Sequence, residues 1–259
     1  MPTLGYFTLL FILTLRYLLV AGGAFLIFWI WKPKWVAPRR IQQRLPHPEV
    51  IRREILWSFS TSLIFAAAGR LLFWAKENGH TLIYESVSDY GWWYLFLSIL
   101  FYMILHDTYF YWTHRWMHTK TLFKWFHQVH HDSRVPSPLA AFSFHPLEAL
   151  VEAAILPLLA FLFPIHIGAF LAFLTIMTFL SVINHLGYEI YPKGFPDHWL
   201  TRWIISATHH DHHHQSYGHN LGLYFTWWDH WMKTQDLEYS KRFAQITNGS
   251  MEATLQKAA

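Results

Sequence analysis

Long apolar runs separated by short polar stretches dominate the chain. Residues 4–31 are apolar except for Arg16, long enough for one bilayer crossing, which takes about 20 helical residues. No small-residue cleavage site accompanies this run, so it reads as a retained span and not as a signal peptide. Residues 55–75 form a second, weaker run, interrupted near its end by Arg70. A third begins at Gly91 with the interfacial aromatics Trp92, Trp93 and Tyr94 and continues to about Trp112. Residues 149–184 are too long for a single crossing, and Pro164 lies near their middle. Proline removes a helix hydrogen bond and clashes with the preceding turn. A helical hairpin is therefore expected, 149–163 going out and 165–184 coming back. From Gln235 to Ala259 the chain is polar, as a peripheral tail would be. The pattern predicts an all-α integral membrane protein with about four to five transmembrane helices.

The charges orient these spans. Lys32, Lys34, Arg39, Arg40, Arg44, Arg52 and Arg53 are opposed only by Glu49. Their apolar flanks make this a juxtamembrane loop and argue against a nucleic-acid surface; by the positive-inside rule the loop is cytoplasmic. The loop 76–90, with Lys76, Glu77, Glu85 and Asp89, is net acidic and suits the other side. Residues 106–131 and 185–219 then both fall at the cytoplasmic face.

Composition adds chemistry to this outline. Of 259 residues 14% are charged, against about 25% in soluble domains. There is no Cys, which excludes disulfides, thiolate zinc sites, Cys-ligated iron–sulfur clusters and Cys nucleophiles. The 19 His outnumber the 16 Asp and Glu, and any metal must be held by nitrogen and oxygen.

Eleven of those His lie in two windows. The first holds His106, His114, His118, His127, His130 and His131, with His114 and His118 four apart and His127, His130 and His131 spaced three and one. Residues three or four apart share a helix face, so each group aims its rings at one place. The second window, 209–214, fits two registers: His210 with His213 and His214, or His209 with His212 and His213. His185 is a further candidate at the end of the returning helix. One interfacial His is more often a hydrogen-bonded polar residue than a ligand. Three clusters on one membrane face are different, because ionisable side chains near a bilayer are costly and usually functional. Eight to ten convergent rings over-supply one ion but suit two; imidazole alone does not choose among iron, zinc, copper and nickel.

These residues carry a family resemblance. The chain resembles the fatty acid hydroxylase/sterol desaturase superfamily of membrane non-haem di-iron enzymes, from about His106 to Thr234. The matching stretches are His106 to His118, His127-Gln128-Val129-His130-His131, Phe144-His145-Pro146-Leu147-Glu148-Ala149 and Asn184-His185-Leu186-Gly187-Tyr188-Glu189. They continue with the 209–214 cluster, Asn220-Leu221-Gly222, and Trp228-Asp229 ahead of Thr234. The wording is most similar to the sterol C-5 desaturase-like branch, with alkylglycerol monooxygenase and sterol C-4 methyl oxidase as near relatives.

The resemblance implies metal ligands at His114, His118, His127, His130, His131, His185, His210, His213 and His214. Fatty acid hydroxylases carry a second His where this chain has Glu189, so Glu189, His106, His145 or His209 is left to complete the shell. Lys233 stands where relatives commonly have Gly. Asp107, Glu148, Glu189, Asp211 and Asp229 are candidate carboxylates behind the ligands. The implied cofactors are two Fe ions, with O2 as co-substrate. The implied reaction desaturates or hydroxylates an unactivated C–H bond of a lipid: sterol-like, carotenoid, fatty acyl or ether lipid. No cytochrome b5 domain is recognised in the chain, so a separate electron donor, cytochrome b5-like or ferredoxin/reductase, is expected; no nucleic acid is.

The expected organisation is residues 1–90 as N-terminal transmembrane helices and basic loop, 91–234 as a catalytic domain with the histidine motifs, and 235–259 as the polar tail. The catalytic part is a cytoplasmic histidine-rich di-metal domain. A bacterial inner membrane is preferred over endoplasmic reticulum, since the chain is compact, lacks Cys and ends without a dilysine signal. The competing reading is a metal transporter or metal-binding membrane protein, which would place its ligands along the spans near the midplane.

Overall fold

The computed structural model describes residues 5–249. Residues 1–4 and 250–259, the last ten of the expected tail among them, lie outside the described residues. The chain is mainly helical, and three helices are long and apolar enough to cross a membrane: Tyr6–Trp31, Pro48–Glu77 and Ile167–Asn184. Their outward faces are apolar, with Phe7, Phe11, Leu19 and Leu26 more than half exposed. Contiguous exposed apolar surface of this kind belongs in lipid and not in water.

Helix α1 (Tyr6–Tyr17) continues through wider π-helical turns to Trp31, and Lys32 ends it in a left-handed conformation. Helix α2 (Pro48–Glu77) starts with Pro at its first position, where a missing N–H costs nothing; it is longer at both ends than the apolar run 55–75. Helix α3 (Gly91–Met117) also outruns its expected end near Trp112 and carries the helix up to His118. Two short helices follow, α4 (Phe123–Phe126) and α5 (Gln128–His131). The hairpin is α6 (Pro146–Leu162) and α7 (Ile167–Asn184), separated by a break that contains Pro164, while Pro157 is accommodated inside α6. Helix α8 (Ala207–Ser216) carries the second histidine window, followed by α9 (Trp227–Trp231) and α10 (Tyr239–Thr247).

Two contacts fix which ends of the bundle coincide. Strand β1 (Ile83–Tyr84) pairs in parallel with β2 (Ile165–His166), joining the loop before α3 to the tip of the hairpin. At the opposite end the basic loop docks beside α7 and α8: Arg40 bridges Tyr188, the Glu189 N–H donates to the Arg39 carbonyl, and Gln42 donates to Asp211. The ends of α3 and α7, the start of α6 and the basic loop therefore share one face, where the histidines lie. The main apolar core packs α3 against α6 and α7 through Tyr102, Ile155, Leu159, Phe170 and Phe173. A polar knot ties α1 and α2 to the segment before α6: the Tyr17 and Ser58 hydroxyls both donate to the Leu139 carbonyl, and Ser137 donates to Glu54.

Candidate metal centre

Nine buried or half-buried rings gather at that face in two groups. His114, His118, His127, His131 and His213 form one; His130, His185, His210 and His214 form the other. Within each group one nitrogen per ring lies within 4.8 Å of all the others. The groups adjoin, with the His131 and His214 ring centroids 4.9 Å apart.

Secondary structure explains the placement. His114 lies in the last turn of α3 and His118 caps it, so the two share one side of its end. His127 precedes α5, and His130 and His131 lie on it, pointing to different groups. Ser206 caps α8 by accepting the His209 N–H, which sets the register of that helix. His210, His213 and His214 turn inward; His212 faces Asp236 at 3.2 Å and His209 approaches Asp229 at 4.0 Å. His185 follows the last turn of α7.

The hydrogen bonds decide what the rings can do. His114 donates its Nδ1–H to the Leu221 carbonyl (2.8 Å), His185 to the Ser181 carbonyl (2.8 Å) and His213 to the His219 carbonyl (2.8 Å). His127 donates to Glu148 Oε1 (2.6 Å). A neutral imidazole has one N–H, so in these four rings Nε2 carries a lone pair. Yet the Nε2 atoms of His114 and His127 face each other at 2.7 Å. His185 Nε2 likewise meets those of His210 (3.1 Å), His130 (3.3 Å) and His214 (3.3 Å), and His213 meets His131 at 3.0 Å. Between His114 and His127, both of which donate through Nδ1, the facing lone pairs repel unless a cation lies between them; opposite His185 and His213 the partner rings are free to take either tautomer. Burial, reinforced by the neighbouring rings, pushes His127, His130, His131, His210, His213 and His214 well below the usual histidine range. The rings are neutral and available as ligands, and an all-imidazole set fits a divalent transition metal. The residues present fit two ions.

None of the residues expected to complete the set joins it. Glu189 spends both oxygens on the scaffold, accepting from Tyr191 N, Thr208 N and Thr208 Oγ1. His106 pairs with the Tyr224 hydroxyl, and His145 caps α6. Of the five candidate carboxylates only Glu148 touches a clustered ring. Asp107 receives the N–H groups of Leu223, Tyr224 and Phe225 on Oδ1 and the Trp227 indole on Oδ2. Asp229 receives Leu221 N, Gly222 N and the Thr234 hydroxyl. It thereby holds the carbonyl that orients His114, one residue removed from the ring. Asp211 binds Gln42 and Gln215. Lys233 has φ 58°, the left-handed conformation that Gly adopts at least cost.

A cavity of about 480 Å³ leads from the rings into the helix bundle. His127, His130, His185 and His210 close one end, and apolar side chains of α1, α2, α6 and α7 form most of its wall. Arg16, Glu148, Glu152 and His106 also line it. The sequence marks Arg16 and Glu152 as ionisable residues in apolar runs, but which space they face is settled by helix packing.

The model for the fatty acid hydroxylase family matches residues 99–234, and the chain belongs to that family. It is similar to a Delta(7)-sterol 5(6)-desaturase of Gibberella zeae, 31% identical over 201 residues, 76% of this chain and 60% of that protein. A Delta(7)-sterol 5(6)-desaturase of Aspergillus fumigatus is 34% identical over 197 residues, covering 70% and 62%. The lathosterol oxidase of Rattus norvegicus is 27% identical over 191 residues, covering 71% and 62%. The chain thus spans about three fifths of the length of these curated relatives. No solved structure matches.

Proposed function

We propose that the protein is a membrane-bound, O2-dependent oxidoreductase that desaturates or hydroxylates a lipid at a two-iron, all-histidine centre. The observation that carries this reading is two groups of converging imidazole nitrogens at the end of a lipid-sized apolar cavity. The names of the relatives, sterol desaturases and a sterol oxidase, support the reaction class.

Iron held there would supply O2 reduction and the oxidation of an unactivated C–H bond. The chain's own residues do the rest. His114, His118, His127, His131 and His213 would hold one ion; His130, His185, His210 and His214 would hold the other. Glu148 and the carbonyls of Ser181, His219 and Leu221 fix ring tautomer and angle, which tunes ligand basicity. The apolar wall admits the lipid chain and keeps bulk water from the reacting carbon.

The unit proposed to carry the chemistry is residues 91–234, served by a separate electron donor, cytochrome b5-like or ferredoxin/reductase. The histidine face carries the basic loop, so we assign it to the cytoplasm by the positive-inside rule. A bacterial inner membrane stands as a proposal beside relatives from fungi and a rat. Transport of metal is disfavoured by the position of the rings at helix ends and not along the spans.

The test is comparative lipid mass spectrometry of a deletion strain complemented with wild type, His130→Ala or His213→Ala. A product differing by two hydrogens or one oxygen, present with wild type and absent with both variants, is expected. Full product from both variants, or metal uptake into proteoliposomes without O2 consumption, overturns the reading.

A further inference from the structure

Arg16 is the one cation on the long apolar run 6–31. It lines the cavity from the α1 side, half-buried, and no hydrogen bond or ion pair joins it to any described residue. A charge at membrane depth normally faces the protein interior and pairs with a counter-charge or carbonyls. Arg16 faces the interior but has no pair.

The same guanidinium borders a side recess with Tyr17, Thr61 and Ser62. Tyr17 donates to the Leu139 carbonyl and Ser62 to the Ser58 carbonyl, so both are satisfied. Thr61 is not: it is 1% exposed and its hydroxyl has no partner. Helical threonines elsewhere in the bundle, Thr108, Thr113, Thr175 and Thr178, donate back to the carbonyl four residues earlier. Leaving a buried hydroxyl unpaired costs about 1–3 kcal/mol, but this recess, about 10 Å³, has room for about one water; of the two groups only Arg16 also faces the large cavity.

We propose that Arg16, which lines the large cavity, forms an anion site that holds the charged end of an amphiphile whose apolar body fills that cavity. The ligand class is a carboxylate or phosphate on a long apolar chain or ring system. A neutral headgroup would leave a cation uncompensated in an apolar wall, which is costly. Glu148 and Glu152, on the α6 side of the cavity, form no ion pair with Arg16 among the described residues and offer an anion no compensating charge. The α1 side is left for the charged end. Arg16 also lies outside the matched segment 99–234, so this selectivity is carried by the N-terminal helix and not by the family's shared part. That the ligand is a substrate rests on the oxidase reading; the anion site stands on the cavity itself.

The experiment measures equilibrium binding of hexadecanoate, hexadecyl phosphate and hexadecanol to the full-length protein in nanodiscs. Wild type is expected to bind at least one anion about tenfold or more tightly than the alcohol, the gain of one charge-assisted hydrogen bond; the tighter anion identifies the headgroup. Arg16→Gln abolishes the preference with hexadecanol binding unchanged, and Arg16→Lys retains most of it. Equal binding of all three probes by wild type, no saturable binding, or a preference that survives Arg16→Gln overturns the proposal. The wild-type comparison decides even if a variant fails to fold. Binding is read without turnover, so an anion preference stands without any O2-dependent product, and an active enzyme with no preference overturns this site alone.

Discussion

Glu148 accepts the Nδ1–H of His127 at 2.6 Å, and the same ring turns Nε2 to within 2.7 Å of His114 Nε2. A carboxylate from the first turn of α6 thus sets the tautomer of a ring that belongs to the α4–α5 turn.

Glu148→Gln keeps the shape but weakens the pull on the His127 N–H. Partners of this kind are worth about 10–100-fold in metal affinity, so iron affinity should fall by that order with little change in melting temperature. Metal titration followed by thermal denaturation reads both quantities. Unchanged affinity would make Glu148 a cavity-wall residue only.

Removing one ring from each group separates the two ions. His130→Ala, which leaves three rings in the four-ring group, should lower the iron count from the expected two toward one per chain, whereas His213→Ala, which leaves four rings in the five-ring group, should weaken that ion without emptying its site. Elemental analysis after iron reconstitution gives the count. Loss of both ions in each variant would mean one coupled site.

Acid should unfold the metal-free protein early. Burial lowers His185 from 6.5 to about 4 and His209 to about 3. A depressed folded-state value contributes stability that is full above the unfolded value and lost as pH falls toward the folded one, because the unfolded chain binds the protons first. Metal-free stability should therefore decline from about pH 6.5 toward pH 4, and denaturation midpoints across that window test it. Bound metal should move the decline to lower pH, since it competes with the same protons.

Gly222 is a packing requirement. A Cβ there would lie 2.5 Å from the Phe225 carbonyl and 2.9 Å from Ile205 Cδ1. Gly222→Ala should cost about 1–3 kcal/mol, seen as a lowered melting temperature. Gly222 adjoins the Leu221 carbonyl that orients His114, so iron affinity should fall in the same variant. Wild-type affinity in a destabilised variant would show that His114 does not depend on that loop.

Much of the site was legible because local periodicity carries it. The spacing of His114 and His118, and of His127, His130 and His131, already places rings on shared faces, and Pro164 announces the hairpin. The nine ring positions came from the family resemblance, and they are the nine the fold draws together. Other features had no local signal. Whether His209 or His210 turns inward depends on Ser206 capping α8, a matter of a single residue of register. Asp107, Asp211, Asp229 and Glu189 resemble Glu148 in sequence, yet they anchor backbone and side chains around the centre, because burial forces each carboxylate onto the nearest donors.

By itself, then, the sequence determined the membrane character, the order of the helices and the chemistry available: imidazole without thiolate, because composition and short-range spacing suffice for these. Only the tertiary structure decided how the rings divide into a group of five and a group of four, which carboxylate reaches a ring, and that Arg16 faces the cavity without a partner. These depend on contacts between residues tens to more than a hundred positions apart, and no periodicity along the chain encodes them.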